Sequence, residues 1–361
     1  MEKENKMKTW FNNLKVSCRA FSNKVSNCFK KYKESLTKAF APVTKVLKPV
    51  LGNRIVQSLL PVLFLVLMFV IFIIATGGKI LKPITLQNIL NQALITAVVA
   101  TGAAFIFATG NVNIAMGSSV AITCSVTAKI YLATGSIPLM FVTAIVFGVV
   151  LLLLCSLLSV VLKVRVMFVT IVMMVLLQAI HETIVGAGQI EIPVSVLEPL
   201  DNAGVIYILF ALFVAAAIII FHFTSVGRKL KLIGSNELCS RQTGISKNAG
   251  IITAFIIAGV GVGVGALLTI IRTGSIGTST AGKLNMDCML AIVLGGMPVF
   301  GGAKSKAYAS IIGAFTVTLL STGLLMIGVS NDILQLVRGV IFIVLVIIGN
   351  KRSALLPARE G

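Results

Sequence analysis

The sequence has few charged residues, and this scarcity limits the class of protein that it encodes. Asp, Glu, Lys and Arg make up 12% of the 361 residues, whereas 57% are hydrophobic and the mean hydropathy is +1.03. An ordinary soluble domain carries about twice that charged fraction. Because a soluble chain of this length cannot bury so much apolar surface, we predict an integral membrane protein.

The cysteines lack the spacing of a metal site or of a disulfide framework. Six are present, and Cys18, Cys28 and Cys239 lie in segments that we predict to be cytoplasmic. We interpret Cys124 and Cys155 as small packing residues within helices. None of the six lies in a segment predicted to be external, so we expect neither a metal site nor disulfides.

A nucleotide-binding loop is also lacking. The stretch GMPVFGGAKS departs from the phosphate-loop pattern, because its lysine is displaced to Lys304 and no β-rich domain follows. The chain is therefore predicted not to be an enzyme, and to hold no cofactor of its own. We interpret four glycines there as a tight cytoplasmic turn between closely packed helices: Gly295, Gly296, Gly301 and Gly302.

A signal peptide is not expected, since the first apolar run begins only near residue 58. From there, nine apolar runs are long enough to cross a bilayer as helices, and a shorter one at 284–298 suits a tilted or broken span. We predict an all-α polytopic protein with roughly ten transmembrane helices in a domain 58–352. The nine long runs lie near 58–76, 89–109, 112–133, 137–162, 166–187, 202–222, 249–271, 307–327 and 331–349.

The distribution of positive charge predicts the orientation of these spans. Threading ten spans from a cytoplasmic N-terminus puts 25 of the 31 Lys and Arg residues on the cytoplasmic side and 4 in external segments. Both termini are then cytoplasmic, including a short tail at 353–361. The basic tail 1–57 is interpreted as lying on anionic lipid rather than binding RNA, so no nucleic-acid partner is predicted.

A polar segment, residues 224–248, separates two of the apolar runs and carries five Lys or Arg residues against one acid. This charge bias is typical of a cytoplasmic loop. Its sequence GRKLKLIGSNELCSRQTGI contains Gly-Arg, then Gly-x-Asn-Glu, then Arg, then Gly-Ile. These residues are Gly227, Arg228, Gly234, Asn236, Glu237, Arg241, Gly244 and Ile245.

This pattern resembles the cytoplasmic loop of the sugar-type permeases of bacterial ABC importers, the ribose, xylose and galactose group. The stretch AGKLNMDCMLAIVLGGMPVFGGAKS at 281–305 and the last two apolar runs resemble the same family, with Arg338 where the family has a basic residue. The resemblance covers about 58–352. This chain departs from the family at Asn113, which replaces an acid in the signature after the second span.

The resemblance implies a permease subunit in a bacterial plasma membrane that imports a sugar or related small polar solute by alternating access. The implied partners are cytoplasmic ATPase subunits, which bind ATP and Mg, an external solute-binding protein, and a second permease copy, identical or paralogous. Two alternatives stay open: a nucleoside or signalling sugar as the cargo, and an ion-coupled secondary transporter.

The resemblance implies that this cytoplasmic loop contains a short helix, which docks into a cleft of the ATPase. Asn236 is suited to cap a helix over Glu237–Arg241, and Gly227 and Gly244 are suited to helix ends that need positive φ. Arg228 and Arg241 are predicted to pair with acids on a partner. The alternative is a solvated connector whose charges only set the topology.

Polar residues within or beside the spans are candidates for the translocation pathway, because buried polar groups in a membrane need partners or a cavity. Amides suit a neutral polyol, since they both donate and accept hydrogen bonds. For each of them an interhelical hydrogen bond is the alternative role, and a proton relay through the adjacent His and Glu is another. The candidates are Asn91, Gln92, Asn111, Asn113, Gln178, His181 and Glu182.

Overall fold

Apolar helices form nearly all of the described chain, as the hydrophobic runs predict. A computed structural model describes residues 54–202, 204–298 and 301–354, with side chains described in 59–201, 204–298 and 301–343. From residue 61 onward the described residues form one compact unit, and most of the predicted basic tail lies outside the described residues.

The helices follow the predicted spans in order. The first five are α1 Arg54–Ala75, α2 Pro83–Ala108, α3 Met116–Thr134, α4 Ile137–Val161 and α5 Val166–Val185. The next five are α6 Val194–Asn202, α7 Val205–Phe223, α8 Ser225–Ser235, α9 Glu237–Gln242 and α10 Lys247–Thr273. The last three are α11 Leu284–Leu294, α12 Ala307–Met326 and α13 Asn331–Ala354, and a 3₁₀ turn, Lys79–Leu81, precedes α2.

Seven of these helices are long and apolar enough to cross a bilayer: α2, α3, α4, α5, α7, α10 and α12. The apolar parts of α1 and α11 are shorter, at Leu59–Ala75 and Leu284–Leu294. The all-helical membrane fold is therefore confirmed, whereas the count of ten crossings and the cytoplasmic termini stay predictions.

The centre of the bundle is built from α2 and α10. Of the apolar window of α2, 83% is buried, against 22% for α5, which has an outward-facing apolar surface suited to lipid. α10 packs against both α2 and α4. A side-chain carbon added at Gly148 of α4 would lie 2.7 Å from the carbonyl oxygen of Gly259 and 2.8 Å from the amide of Gly263. The glycines of the run GVGVG, residues 261–265, thus serve close helix packing.

Two segments predicted to be external are joined by a short antiparallel pairing. Strand β1, Ile190–Glu191, pairs with strand β2, Ser275–Ile276, and the amide of Ile192 donates to the carbonyl of Gly274 at 2.9 Å. Ile190, Ile192 and Ile276 are buried, so this pairing closes one end of the bundle over apolar side chains.

Two irregular segments lie directly before helices of the bundle, one of them partly inside a predicted span and the other in the segment 272–283, which is predicted to be external. Residues 109–115 separate α2 from α3, so the predicted run 112–133 becomes helical only at Met116. Residues 277–283 likewise precede α11. Cys124 of α3 donates through its Sγ to the carbonyl of Ala266, well inside the 27-residue α10. The middle of α3 therefore lies beside the second half of α10.

Candidate functional site

The polar segment folds as two helices, α8 and α9, that meet at Asn236. α8 is amphipathic, because Leu230 and Ile233 are buried while Arg228 and Lys229 are exposed. Its apolar side therefore faces the bundle and its basic side faces outward.

α9 is short, yet it is capped and braced at its start. The Asn236 Oδ1 accepts the amides of Leu238 at 2.9 Å and Cys239 at 3.1 Å. The Glu237 carboxylate and the Lys247 ammonium form an ion pair of 2.7 Å, which links α9 to the first residue of α10. The predicted cap is confirmed, and the helix ends one residue later than predicted.

The two glycines predicted to end helices differ in their roles. Gly244 has a φ of 76° just after α9, and the amide of Ile245 donates to the carbonyl of Ser240 at 3.0 Å, as predicted for a helix end. The prediction for Gly227 is wrong. It is the third residue of α8, and a side-chain carbon there would overlap the backbone of Phe221, so close approach requires this glycine rather than positive φ.

α8 is anchored to the bundle by backbone contacts, which we call the junction. A side-chain carbon at Gly234 would overlap the carbonyl oxygen of Ala108, at the end of α2. The same carbonyl accepts the amide of Gly302 at 3.1 Å. The Ser235 Oγ accepts the amide of Ala303 at 2.8 Å. The junction therefore joins α8, α2 and the turn before α12 with little free space.

The outer face of α9 is left without partners in the part of the chain that the structure describes. Leu238 is 67% exposed, and Cys239 and Arg241 are exposed beside it. The Arg241 side chain makes no hydrogen bond or ion pair with any other described residue. An exposed leucine next to an unpaired guanidinium is a surface suited to a protein partner with an apolar and acidic cleft.

The pathway candidates fall into three groups according to their contacts, and the first lies in the irregular segment 109–115. The Asn111 Nδ2 donates to the Thr109 hydroxyl at 2.9 Å. The buried Asn113 accepts the amide of Ala115 at 2.9 Å, and its Nδ2 donates to the Met116 sulfur at 3.3 Å. Both amides therefore order the entry into α3.

The start of α3 is capped by a side chain from another helix. The Asn285 Oδ1 of α11 accepts the amides of Gly117 at 2.6 Å and Ser118 at 3.2 Å, and its Nδ2 donates to the Ser118 hydroxyl at 3.2 Å. A side-chain carbon at Gly117 would approach the backbone of Asn285 and Ala281. This contact joins α11 directly to the start of α3, and each of these helices follows an irregular segment.

The second group holds the other irregular segment. The His181 Nε2 is 3.1 Å from the carbonyl of Gly277, and its Nδ1 is 2.5 Å from the Ser125 hydroxyl. Because a carbonyl only accepts, Nε2 carries a proton, while Nδ1 and the Ser125 hydroxyl form the second contact. The Gln178 Nε2 donates to the carbonyl of Thr278 at 3.2 Å and to the Glu182 carboxylate at 2.9 Å. Gln178 and His181 thus fix the start of segment 277–283.

The third group lies at the start of α2. The Asn91 Oδ1 accepts the hydroxyl of Tyr207 at 3.2 Å, and Asn91 also lines a polar cleft. Gln92 is half-buried beside it, with its backbone carbonyl accepting the Thr96 hydroxyl at 3.1 Å.

Sequence reasoning missed Asn285, which caps α3, and Ser125, which bonds to His181. Both are common polar residues within apolar helices, and only the tertiary contact distinguishes them. It also missed the pairing of Asp287 in α11 with Arg338 in α13. The Arg338 Nη1 lies 3.1 Å from the Asp287 Oδ1, its Nη2 is 2.5 Å from the Ser321 Oγ, and both charged side chains are at most 6% exposed.

Restoring an acid at position 113 tests how this site tolerates charge. We expect Asn113→Asp to lower the stability of the purified protein by roughly 1–3 kcal/mol, because one oxygen would keep the Ala115 amide and the other would face a sulfur that donates nothing. Thermal unfolding in detergent measures this. The matched control is Asn111→Asp, which is half-buried and should cost less. Equal shifts in the two variants would contradict the argument.

The bundle of long apolar helices, with a basic helix pair packed at one end, has the architecture of a polytopic membrane protein. The model of the family described as "Branched-chain amino acid transport system / permease component" matches residues 85–346. The match covers more than half of the chain, so the chain belongs to this family and is a membrane-embedded permease component.

Individual relatives agree with this assignment. The ribose import permease protein RbsC of Escherichia coli K12 is 25% identical over 284 residues, which is 74% of this chain and 86% of the relative. RbsC of Bacillus subtilis 168 is 24% identical over 327 residues, 84% of this chain and 95% of the relative. The autoinducer 2 import system permease protein LsrD of Salmonella paratyphi B is 30% identical over 129 residues, 36% of this chain and 39% of the relative. No solved structure matches the chain significantly.

Proposed function

We propose that this permease is the membrane-spanning subunit of an ATP-driven importer for a sugar or a related small polar solute. The observation that carries the proposal is the capped, braced helix α9, whose Leu238 and Arg241 face outward while the junction holds α8 against α2. A rigid helix of this kind transmits motion from a docked ATPase into the bundle, whereas a solvated connector needs neither cap nor anchor.

The sugar cargo is supported by the relatives and by the chemistry of the candidate residues. Ribose and galactofuranose permeases are among the similar proteins. The polar side chains that order the start of α3 are amides and a hydroxyl, with Asn113 standing where the family has an acid. The partial match to an autoinducer 2 permease keeps a signalling sugar as the second candidate cargo.

The proposed partners follow from this role. Two cytoplasmic ATPase subunits bind ATP and Mg and dock on α9, an external solute-binding protein delivers the solute, and a second permease copy, identical or paralogous, completes the pathway. In the transport cycle, closure of the ATPases moves α9, and the junction passes this motion to α2, whose end precedes the irregular segment 109–115.

An ion-coupled secondary transporter is the alternative, and the contacts of His181 weigh against it. Both ring nitrogens are engaged by neutral partners, Ser125 and Gly277, and the Glu182 carboxylate is bonded to Gln178. A proton relay needs a chain of titratable neighbours.

The energy source distinguishes the two functions. Cells that express the chain with its cognate ATPase and binding protein would be tested for uptake of radiolabelled D-ribose, D-xylose and D-galactose. We expect uptake to stop when ATP is depleted and to persist when a protonophore collapses the proton gradient while ATP is maintained. Uptake that follows the gradient and ignores ATP would contradict the importer.

The proposed orientation places both termini and the polar segment in the cytoplasm. It is supported by the charge asymmetry and by two contacts, since β1–β2 joins two segments predicted external and Ser235–Ala303 joins two predicted cytoplasmic.

Cys239 offers a direct test of this orientation, because it is exposed on α9. In a Cys18→Ser/Cys28→Ser background, we expect a membrane-impermeant thiol reagent to label Cys239 only after the cells are permeabilised. The buried Cys124 serves as the internal control and should stay unlabelled in both cases. Labelling of Cys239 in intact cells would reverse the orientation.

A further inference from the structure

A polar cleft of about 440 Å³ lies where the start of α2 meets the ends of α6 and α10. This volume suits a small molecule. All of its lining residues are polar: Gln87, Asn88, Asn91, Asp201, Arg272 and Thr273. In the proposed orientation the cleft opens at the external end of the bundle, since it borders the segment that contains α6.

The cleft contains one cation and one anion that do not neutralise each other. Arg272 is half-buried in the last turn of α10, and Asp201 is exposed near the end of α6. Within the described ranges, neither side chain makes a hydrogen bond or an ion pair with the protein. A guanidinium that is partly withdrawn from water without a partner has unused hydrogen-bonding capacity.

The amides of the cleft are also available. The Asn91 Oδ1 is taken by the Tyr207 hydroxyl at 3.2 Å, which leaves its Nδ2 as a donor. The side chains of Gln87 and Asn88 make no hydrogen bond to the described part of the chain. The cleft therefore presents a planar forked donor, a carboxylate acceptor and three amides.

We propose that this cleft is an entry site for a neutral polyhydroxylated solute. Each sugar hydroxyl both donates and accepts, so the Arg272 guanidinium can bridge two neighbouring hydroxyl oxygens while the Asp201 carboxylate accepts from others. A net charge on the ligand would be attracted by one of these two side chains and repelled by the other, so neither sign gains a clear advantage. A ligand without net charge that carries many hydrogen-bonding groups can use both side chains at once. The choice of ligand class rests on the proposed sugar importer, whereas neither charged residue was a pathway candidate from the sequence.

Ligand-observed saturation-transfer NMR on the full chain in lipid nanodiscs tests this site, with D-ribose, D-galactose and myo-inositol as probes at millimolar concentrations. We expect at least one probe to bind saturably. Arg272→Gln and Asp201→Asn should each weaken that binding about tenfold, as expected for one lost charge-assisted hydrogen bond. The matched control is Lys283→Met, because Lys283 is an exposed cation in the same predicted external segment as Arg272 and bonds to Asn331 instead of lining the cleft.

Three results would overturn the proposal: saturable binding of none of the probes, unchanged binding in both cleft variants, or an equal loss in Lys283→Met. Reduced capture of the solute-binding protein by the cleft variants, with unchanged sugar binding, would reassign the cleft as a docking surface. A separate measurement of ATP-dependent uptake distinguishes failure of the entry site from failure of the proposed importer. If uptake requires ATP but the cleft binds nothing, only the entry site fails. If the cleft binds a probe but uptake ignores ATP, only the importer fails.

Discussion

Replacing Arg338 by Met is expected to remove most of the folded permease from the membrane. Arg338 lies in α13, and its guanidinium contacts Asp287 in α11 at 3.1 Å and Ser321 in α12 at 2.5 Å. Without it, the Asp287 carboxylate would be almost fully buried with no cation. Removing one partner of a buried ion pair costs roughly 3–5 kcal/mol. This is a large share of the roughly 5–15 kcal/mol by which native proteins are typically stable.

The control is the double variant Asp287→Leu/Arg338→Met, which removes both charges. Replacing a buried pair by apolar residues of similar volume is often neutral, so the double variant should recover folded protein that the single variant loses. The measurement is the monodisperse fraction in detergent together with the unfolding temperature of each variant. Similar losses in the single and double variants would show that the contact with Ser321 or the size of the side chain matters, and not the charge.

The apolar runs predicted most of the helices because their cause is local. A run of about 20 apolar residues must satisfy its backbone hydrogen bonds internally in a membrane, so it forms a helix regardless of its neighbours. The cap of α9 was predictable for the same reason. The Asn236 side chain reaches amides only two and three residues ahead.

The contacts between spans were not predictable, because they join residues far apart in the chain. Asn285 caps α3 across 168 residues of sequence, and β1 and β2 are two-residue strands from different connecting segments. Asn285 lies in the stretch 281–305 that resembles the permease family. The hydrogen bonds between its side chain and the amides of α3 nevertheless depend on how α11 packs. The prediction of positive φ at Gly227 was wrong for a related reason. Its need for a glycine comes from the approach of Phe221, not from its own φ.

The irregular segments show the same division between local and tertiary causes. The apolar composition predicted spans at 89–109 and 112–133 that nearly meet. In the sequence, the break at 109–115 differs from them only by a few small and polar residues. Once the break exists, its orphan amides need partners, and Asn113 and Asn285 supply them. Polar residues beside these irregular segments therefore have a structural role. If they also contact the solute, they must do so while keeping these hydrogen bonds.

The largest effect on function is expected from a charge reversal on α9. Arg241→Glu should reduce uptake to background while leaving the amount of permease in the membrane unchanged. Arg241 is exposed and has no partner among the described residues, so its replacement disturbs no contact within the fold. At an interface with an acidic cleft, a like-charge contact of about 3 kcal/mol would weaken docking roughly a hundredfold.

Two further variants separate docking from charge alone. Leu238→Asp should have a similar effect, because Leu238 is 67% exposed and forms the apolar part of the same face. Lys79→Glu reverses an exposed charge in a segment, 77–88, predicted to lie on the opposite side of the membrane and should leave uptake unchanged. The readouts are co-purification of the ATPase, permease-stimulated ATP hydrolysis and uptake. If the ATPase still co-purifies with both α9 variants and uptake is intact, α9 is a solvated connector, because a helix that transmits the power stroke cannot lose its contact surface without losing transport.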